Sequence, residues 1–403
     1  MGTAAGGRGL TLRRAYVGHA VAALATFALL AGGLFAYRRW VLPFDGALTA
    51  LLLLAPVTGF SLLTPFLRRR LAGPIGDLVE DASYLAVPVG FLWGLLTWGL
   101  VALRCLGLWR AVSAVPLGAL WRLMPAPWDL GLALGVSVLA VAWGLGEASR
   151  VRVVRYVVGS DRLPPGTSIR VVQISDLHLG MVNDRAFVAR LCETLRGLEP
   201  HLLVSTGDLL DGPPEGLRDL AEALASVPHP LGAYAVLGNH EHYAGLEEAM
   251  EFHRACGMRI LRDQWVPVGP LRIVGVDDPG YLSGPGRSRE EAELWGSVPE
   301  DGVFTLALKH RPTVHRCSAG RFQLMLCGHV HGGQIFPFTL LALSAYRHSK
   351  GLKRLKGPFE GSLVYVSAGT GTWGAPVRLM APPEVTVFQL VHRSSELRGE
   401  EAE

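Results

Sequence analysis

Cysteine is scarce in this 403-residue chain and does not fall into pairs. The five cysteines lie at 105, 192, 256, 317 and 327, with no CxxC among them. That excludes a disulfide framework and a zinc knuckle. Glycine (49) and proline (26) follow no fixed period, which excludes collagen-like and other low-complexity classes. Charged residues are only 18% against 50% hydrophobic ones, so disorder is excluded as the main state. Lysine is nearly absent, occurring only at 309, 350, 353 and 356. The formal net charge of +4 arises from arginines among apolar residues. That pattern is membrane-flanking arginine rather than a nucleic-acid surface, and no nucleic-acid partner is expected.

Four stretches lack Asp, Glu, Lys and Arg altogether: 15–37, 46–67, 82–103 and 130–146. A helix rises about 1.5 Å per residue, so the first three can cross a hydrocarbon core and the fourth is marginal. Within the first three, only His19 is an acid or base. Pumps and channels place ionisable groups inside the bundle, so an anchor is expected rather than a transporter. Arg8, Arg13, Arg14, Arg68, Arg69, Arg70, Arg150, Arg152 and Arg155 would flank one side. Only Arg38, Arg39, Arg104, Arg110 and Arg122 flank the other. The excess predicts a multi-pass protein of the cell membrane with its C-terminal half on the cytoplasmic side.

The expected layout is a membrane domain over 1–150 with about four spans, a linker over 151–167, an α/β domain over 168–392 and a polar tail over 393–403. Ile169–Ile174, Leu202–Ser205 and Tyr234–Leu237 are β-branched or apolar runs that alternate with helical spacing over Ala186–Leu195, Leu217–Leu224 and Glu247–Cys256. Leu271–Val276, Phe304–Leu308, Phe322–Leu326, Leu363–Val366 and Val385–Leu390 are further strand candidates.

The chemistry collects where strands stop. Asp176 and His178 follow the first strand, Asp208 and Asp211 the second, and Asn239 and His240 the third. His310 follows Phe304–Leu308, and His329 and His331 follow Phe322–Leu326. Open α/β sheets bind ligands off the carboxyl ends of their strands. Mixed carboxylate and imidazole donors with one amide suit Mn, Fe or Zn rather than Ca or Mg. The donors outnumber what one ion takes, so two divalent ions are expected. A bridging carboxylate would hold them about 3.5–4 Å apart, a geometry used in phosphoryl chemistry.

These residues carry a resemblance. DLHLG at Asp176–Gly180, GDLLD at Gly207–Asp211, GNHE at Gly238–Glu241, KH at Lys309-His310 and GHVHGG at Gly328–Gly333 resemble, in order, the five motifs of the calcineurin-like metallophosphoesterases. The tail motif YVSAGTGTWGAPVRL, ending at Leu379, is similar to the membrane-associated YkuE/YaeI-like branch. The resemblance implies a four-layer α/β/β/α sandwich preceded by a transmembrane bundle. It also implies hydrolysis of a phosphodiester, phosphomonoester or pyrophosphate bond by a metal-bridging hydroxide. Asp176, His178, Asp208 and His331 would hold one metal. Asp208, Asn239, His310 and His329 would hold the other, with Asp208 bridging. His240 would serve the leaving group, and Asp211 would raise its proton affinity. The alternative is a silent membrane scaffold that keeps the fold.

Gly369, Gly371 and Gly374 form a GxGxxG, but prolines follow where a dinucleotide site needs a helix. A loop over the metal site is expected instead, with Arg378 at the substrate phosphate. The apolar stretch Phe336–Ala345, followed by Lys350, Lys353 and Lys356, suggests a lid that meets a lipid bilayer and a lipid-linked substrate; a buried element is the bland alternative.

Overall fold

A computed structural model describes residues 74–105, 126–180, 183, 185–280 and 285–393, with single positions 26, 28, 29, 31, 32 and 36. The second expected span, nearly all of the first and the polar tail beyond 393 lie outside the described residues. The chain divides into two compact units, the first mainly Met1–Gly146 and the second mainly Glu147–Glu403.

In the first unit, helix α1 spans Pro74–Cys105 and helix α2 spans Ala126–Ala148. Two buried hydroxyls are satisfied within their own helices: Thr97 donates to the Trp93 carbonyl and Ser137 to that of Ala133, each at 2.8 Å. The indole of Trp93 joins the helices by donating to the Leu130 carbonyl at 3.0 Å. Leu130–Ala148 is long and apolar enough to cross a membrane, and Tyr84–Leu100 is a shorter apolar stretch. The four-span bundle expected from sequence is thus represented, among the described residues, by one helix of spanning length.

The second unit is built on twelve strands: β1 (Arg152–Ser160), β2 (Ser168–Ile174), β3 (Leu202–Ser205), β4 (Ala233–Ala235), β5 (Met258–Ile260), β6 (Gln264–Val268), β7 (Leu271–Val276), β8 (Phe304–Lys309), β9 (Leu324–Cys327), β10 (Gly351–Arg354), β11 (Leu363–Val366) and β12 (Glu384–His392). Its main helices are α3 (Arg185–Leu198), α4 (Arg218–Ala225), α5 (Asn239–Ala244), α6 (Leu246–Ala255), α7 (Pro285–Ser297) and α8 (Phe338–Ala345). One sheet runs β1-β12-β2-β3-β4-β5 and the other β10-β11-β9-β8-β7-β6. The period of two along β2 explains the layering. Ile169 and Val171 point into the core between the sheets, beside Leu306 and Leu324. Val172 and Ile174 point the other way, against Leu191 and Leu195 of α3 and Leu224 of α4. On the far face of the second sheet, Ala307 and Met325 pack on Leu294 and Trp295 of α7. The order is therefore helix, sheet, sheet, helix.

Residues 151–167 are not a plain linker. Arg152–Ser160 pairs in parallel with β12 over its whole length and forms the edge of the first sheet. Val158 is buried in the inter-sheet core, and Tyr156 stacks on Phe388 with ring centroids 5.7 Å apart. Arg152 and Arg155 face out, which in sequence resembles a membrane flank. Strand pairing with a segment more than 200 positions away decides the matter.

A fragment starting at Glu147 is expected to fold alone. One starting at Thr167 lacks β1 and uncovers Phe388. Burial of Val158 and part of Tyr156 contributes about 3 kcal/mol, so the shorter fragment should unfold at lower urea or aggregate. Equal urea midpoints would show that β1 is dispensable.

Candidate metal centre

The carboxyl ends of the parallel strands in both sheets supply the site loops. Asp176 and His178 leave β2, Asp208 leaves β3, Asn239 and His240 open α5 after β4, His310 follows β8, and His329 and His331 follow β9. Five of these residues hold left-handed backbone: Asp176 (φ 53°), His178 (47°), Asp208 (53°), His329 (73°) and His331 (52°). Each such conformation costs on the order of 1–3 kcal/mol in a non-glycine residue, and such strain gathers at functional sites. Gly238 and Gly328 let the loops touch. A Cβ on the first would strike the Asp208 carboxylate, and one on the second would strike Ser175 and Asp176.

Three overlapping groups of donor atoms result: Asp176, His178 and His331; His178, Asp208 and His240; and Asp208, His310 and His329. The first and third do not share a residue. In the first, the Nε2 atoms of His178 and His331 face each other at 3.0 Å, and His331 Nε2 lies 3.5 Å from Asp176 Oδ1. In the third, His310 Nε2 stands 3.1 Å from Asp208 Oδ2, 3.3 Å from Asn239 Oδ1 and 3.1 Å from His329 Nδ1. His178 Nε2 also lies 3.9 Å from Asp208 Oδ2, which places Asp208 toward both of these groups. The other side of His310 is committed, since its Nδ1–H donates to the Thr206 carbonyl at 2.8 Å. That bond fixes the ring and leaves Nε2 as the coordinating atom. Lone pairs of oxygen and nitrogen converging in a buried space fit divalent cations.

The electrostatics agree with that fit. Burial pushes Asp176 up to about 6 and holds His178 down to about 4 and His329 to about 3. These rings are therefore neutral and able to donate lone pairs. His310 and His240 behave oppositely. Burial again disfavours their charge, but Asp208 outweighs it, raising His310 to about 10 and, with Asp211, His240 to about 9. Asp208 is correspondingly held well below the usual carboxylate range, burial being overcome by His310 and His240. His240 lies at the edge of the cluster. Its Nδ1 is 3.0 Å from Asp211 Oδ1, and its backbone N–H donates to Asp208 Oδ1 at 2.8 Å.

Arg378 is not open to a phosphate. It is fully buried, and its guanidinium donates to the carbonyls of His331 (2.9 Å), Ala368 (2.6 Å) and Gly371. It braces the GTGTWG loop against the histidine loop. Gly371 lies so close to Leu177 that a Cβ would strike its carbonyl, so this glycine run is a packing loop.

Glu241 closes the GNHE motif, and its role is not legible from the motif alone. Its buried carboxylate accepts N–H bonds from Asp208 (3.0 Å), Gly238 (2.7 Å), Leu209 (2.7 Å) and Leu210 (3.3 Å). Asn183 is a lone amide that no motif marks. It donates to the Leu177 carbonyl at 2.8 Å and that of Thr372 at 3.0 Å. Ser175 and Thr206 join the first two strand ends, hydroxyl to hydroxyl at 2.7 Å.

Two mixed sheets between helices, with buried imidazoles and carboxylates at the strand ends, make up an α/β protein with a candidate metal centre. Residues 169–333 match the calcineurin-like phosphoesterase family. The chain is 37% identical over 259 residues to an uncharacterized metallophosphoesterase of Aquifex aeolicus, covering 63% of this chain and 97% of that one. It is 32% identical over 271 residues to a transmembrane protein with metallophosphoesterase domain of Danio rerio, 63% of this chain and 61% of that one. It is 27% identical over 276 residues to the uncharacterized metallophosphoesterase YkuE of Bacillus subtilis, 64% of this chain and 93% of that one. The chain belongs to the calcineurin-like metallophosphoesterase family.

Two outcomes follow from the geometry. A cation taking His310 Nε2 must displace its proton, which is bound at neutral pH because that ring titrates near 10. Calorimetric titration of metal into metal-free protein at pH 7, in buffers of different ionisation enthalpy, should show proton release. The release should fade as pH rises through about 10, and its absence at pH 7 would contradict the His310 assignment. Glu241→Gln should destabilise the second unit by about 3 kcal/mol, since backbone N–H groups lose a charged acceptor. Unchanged urea unfolding would show that the clamp is dispensable.

Proposed function

We propose that the chain is a membrane-associated, metal-dependent phosphohydrolase that cleaves a phosphate ester or anhydride. The observation that carries this reading is the convergence of Asp176, His178 and His331 beside Asp208, His310 and His329, with His240 at their edge. Asp176, His178, Asp208 and His331 would hold one divalent ion, and Asp208, Asn239, His310 and His329 a second. Bound there, such ions supply Lewis acidity that makes water nucleophilic at neutral pH and draws charge from phosphoryl oxygens. The chain's own residues do the rest. Asp211 occupies His240 Nδ1 and so leaves Nε2 as the nitrogen free to give up a proton. Nε2 delivers that proton to the departing oxygen. Membrane association is supported by the apolar helix Leu130–Ala148 and by relatives named as transmembrane proteins. The full ligand and proton-donor set favours this reading over a silent scaffold.

Metal analysis of the purified chain should approach two ions, with Asp208→Ala losing both more readily than His329→Ala; full occupancy in Asp208→Ala would defeat the bridging role. His240→Ala should keep its metal and lose about 10²–10⁴-fold in turnover. The loss should be smaller with a good leaving group such as nitrophenol, and equal losses would point to a structural role. Asp208 and Asp211 raise the proton affinity of His240 in the metal-free chain, and its acid form is lost as pH rises through that pKa. Asp211→Asn removes a cause of that elevation, so the alkaline limb of kcat/KM should move to lower pH. A limb that stays put would separate Asp211 from the proton donor.

A further inference from the structure

The large exposed apolar side chains of the second unit are gathered in one place. Among the described residues, and apart from Val157, they are Phe336, Phe338, Leu340, Leu341, Leu343, Trp373 and Met380. The leucines of α8 are 58–59% exposed, and no residue of that helix is buried. A soluble surface rarely leaves such a patch open. The patch is continuous with the site mouth. Gln334 exchanges two hydrogen bonds with the Trp373 backbone, and Phe336 N–H donates to the Leu379 carbonyl at 3.1 Å. The Trp373 ring stands 6.0 Å from His240, and Tyr346, just past α8, stands 5.8 Å from His329.

At the C-terminal end of α8 the surface changes character. Ala345 and Tyr346 line one wall of a groove of about 820 Å³. Its other walls bring together His315, Arg316, Arg347, His348, Arg354 and Lys356, and no acidic side chain lines it. His315 is engaged behind the wall by Glu291, Nδ1 to Oε2 at 2.8 Å. Arg316, Arg347 and Lys356 are exposed, and among the described residues none of the three makes an ion pair. An apolar helix that ends at a carboxylate-free basic groove has the two chemistries of an anionic bilayer interface: hydrocarbon beside phosphate.

We propose that α8 and the adjoining basic groove form a docking site for an anionic lipid surface, the helix lying among acyl chains and the groove taking a phosphate headgroup. The site would turn the mouth carrying His240 and Trp373 toward the bilayer. A phospholipid headgroup and a free phosphate share the chemistry of the groove; the apolar helix at its end favours the lipid. The proposal rests on the membrane association read above and not on the metal chemistry, so docking can be measured without turnover.

The test uses the full chain in nanodiscs of phosphatidylcholine alone or mixed with phosphatidylglycerol, read by hydrogen exchange. Backbone amides over residues 336–348 should exchange more slowly in the anionic discs. Arg347→Gln and Lys356→Gln should each reduce that protection about fivefold, the effect of removing one basic residue near a charged surface. Arg347→Glu/Lys356→Glu should abolish it, while exchange in the strands stays as in the parent and shows that the fold is intact. Equal exchange in both compositions, from chain that co-elutes with the discs, would overturn docking and leave the membrane association standing. Chain that co-elutes with neither disc would overturn both. Protection of the groove by inorganic phosphate in detergent, with no effect of anionic lipid, would overturn the lipid assignment in favour of a soluble phosphoryl ligand.

Discussion

Burying an ionised carboxylate costs several kcal/mol unless positive charge and hydrogen bonds meet it, and this chain buries Asp176 and Asp208 close enough to feel each other. Much of the second unit is organised by that constraint. Without metal, the compensating charge comes from His310 and His240, whose affinity for protons is raised by Asp208. The remaining imidazoles, His178, His329 and His331, stay neutral because burial disfavours further positive charge beside the first two. A pocket that holds protons in this way is poised to exchange them for cations.

Five residues in left-handed backbone cannot hold such a pocket alone. The loops are tied to one another by groups that never reach the open site. Glu241 gathers four backbone amides from two loops. Arg378 gathers carbonyls from the loops around His331 and Gly371. One is an anion serving donors and the other a cation serving acceptors. Both are buried and heavily hydrogen-bonded, which is what makes a buried charge tolerable, although Arg378 Nε is left without a partner among the described residues. Lys309 adds a third tie, bonding both oxygens of Glu291 on α7 at 2.9 and 2.8 Å, one residue before His310.

Much of the fold was legible from local pattern. Leu202–Ser205, Leu271–Val276 and Leu363–Val366 are strands over the ranges read from their apolar runs, and the helices on 185–198, 218–225 and 246–255 follow the 3.6-residue spacing. Short strands were less legible: Ala233–Ala235 carries too little side-chain signal to mark its ends, and Gln264–Val268 contains a proline. The edge strand Arg152–Ser160 was misread because exposed arginines interrupt its apolar face.

The sequence by itself determined the kinds of donor atom available and their place at strand ends, because motif spacing and hydrophobic period are short-range properties of the chain. Only the tertiary structure decided that Arg378 is a brace and that Glu241 is a clamp. It alone decided that Phe338–Ala345, within the apolar run from Phe336, forms an exposed helix instead of a buried element. The physical reason is common to all three. Burial and hydrogen-bond pairing depend on which distant segments meet, and the same arginine, glutamate or leucine run reads alike whether the chain later covers it or leaves it to solvent.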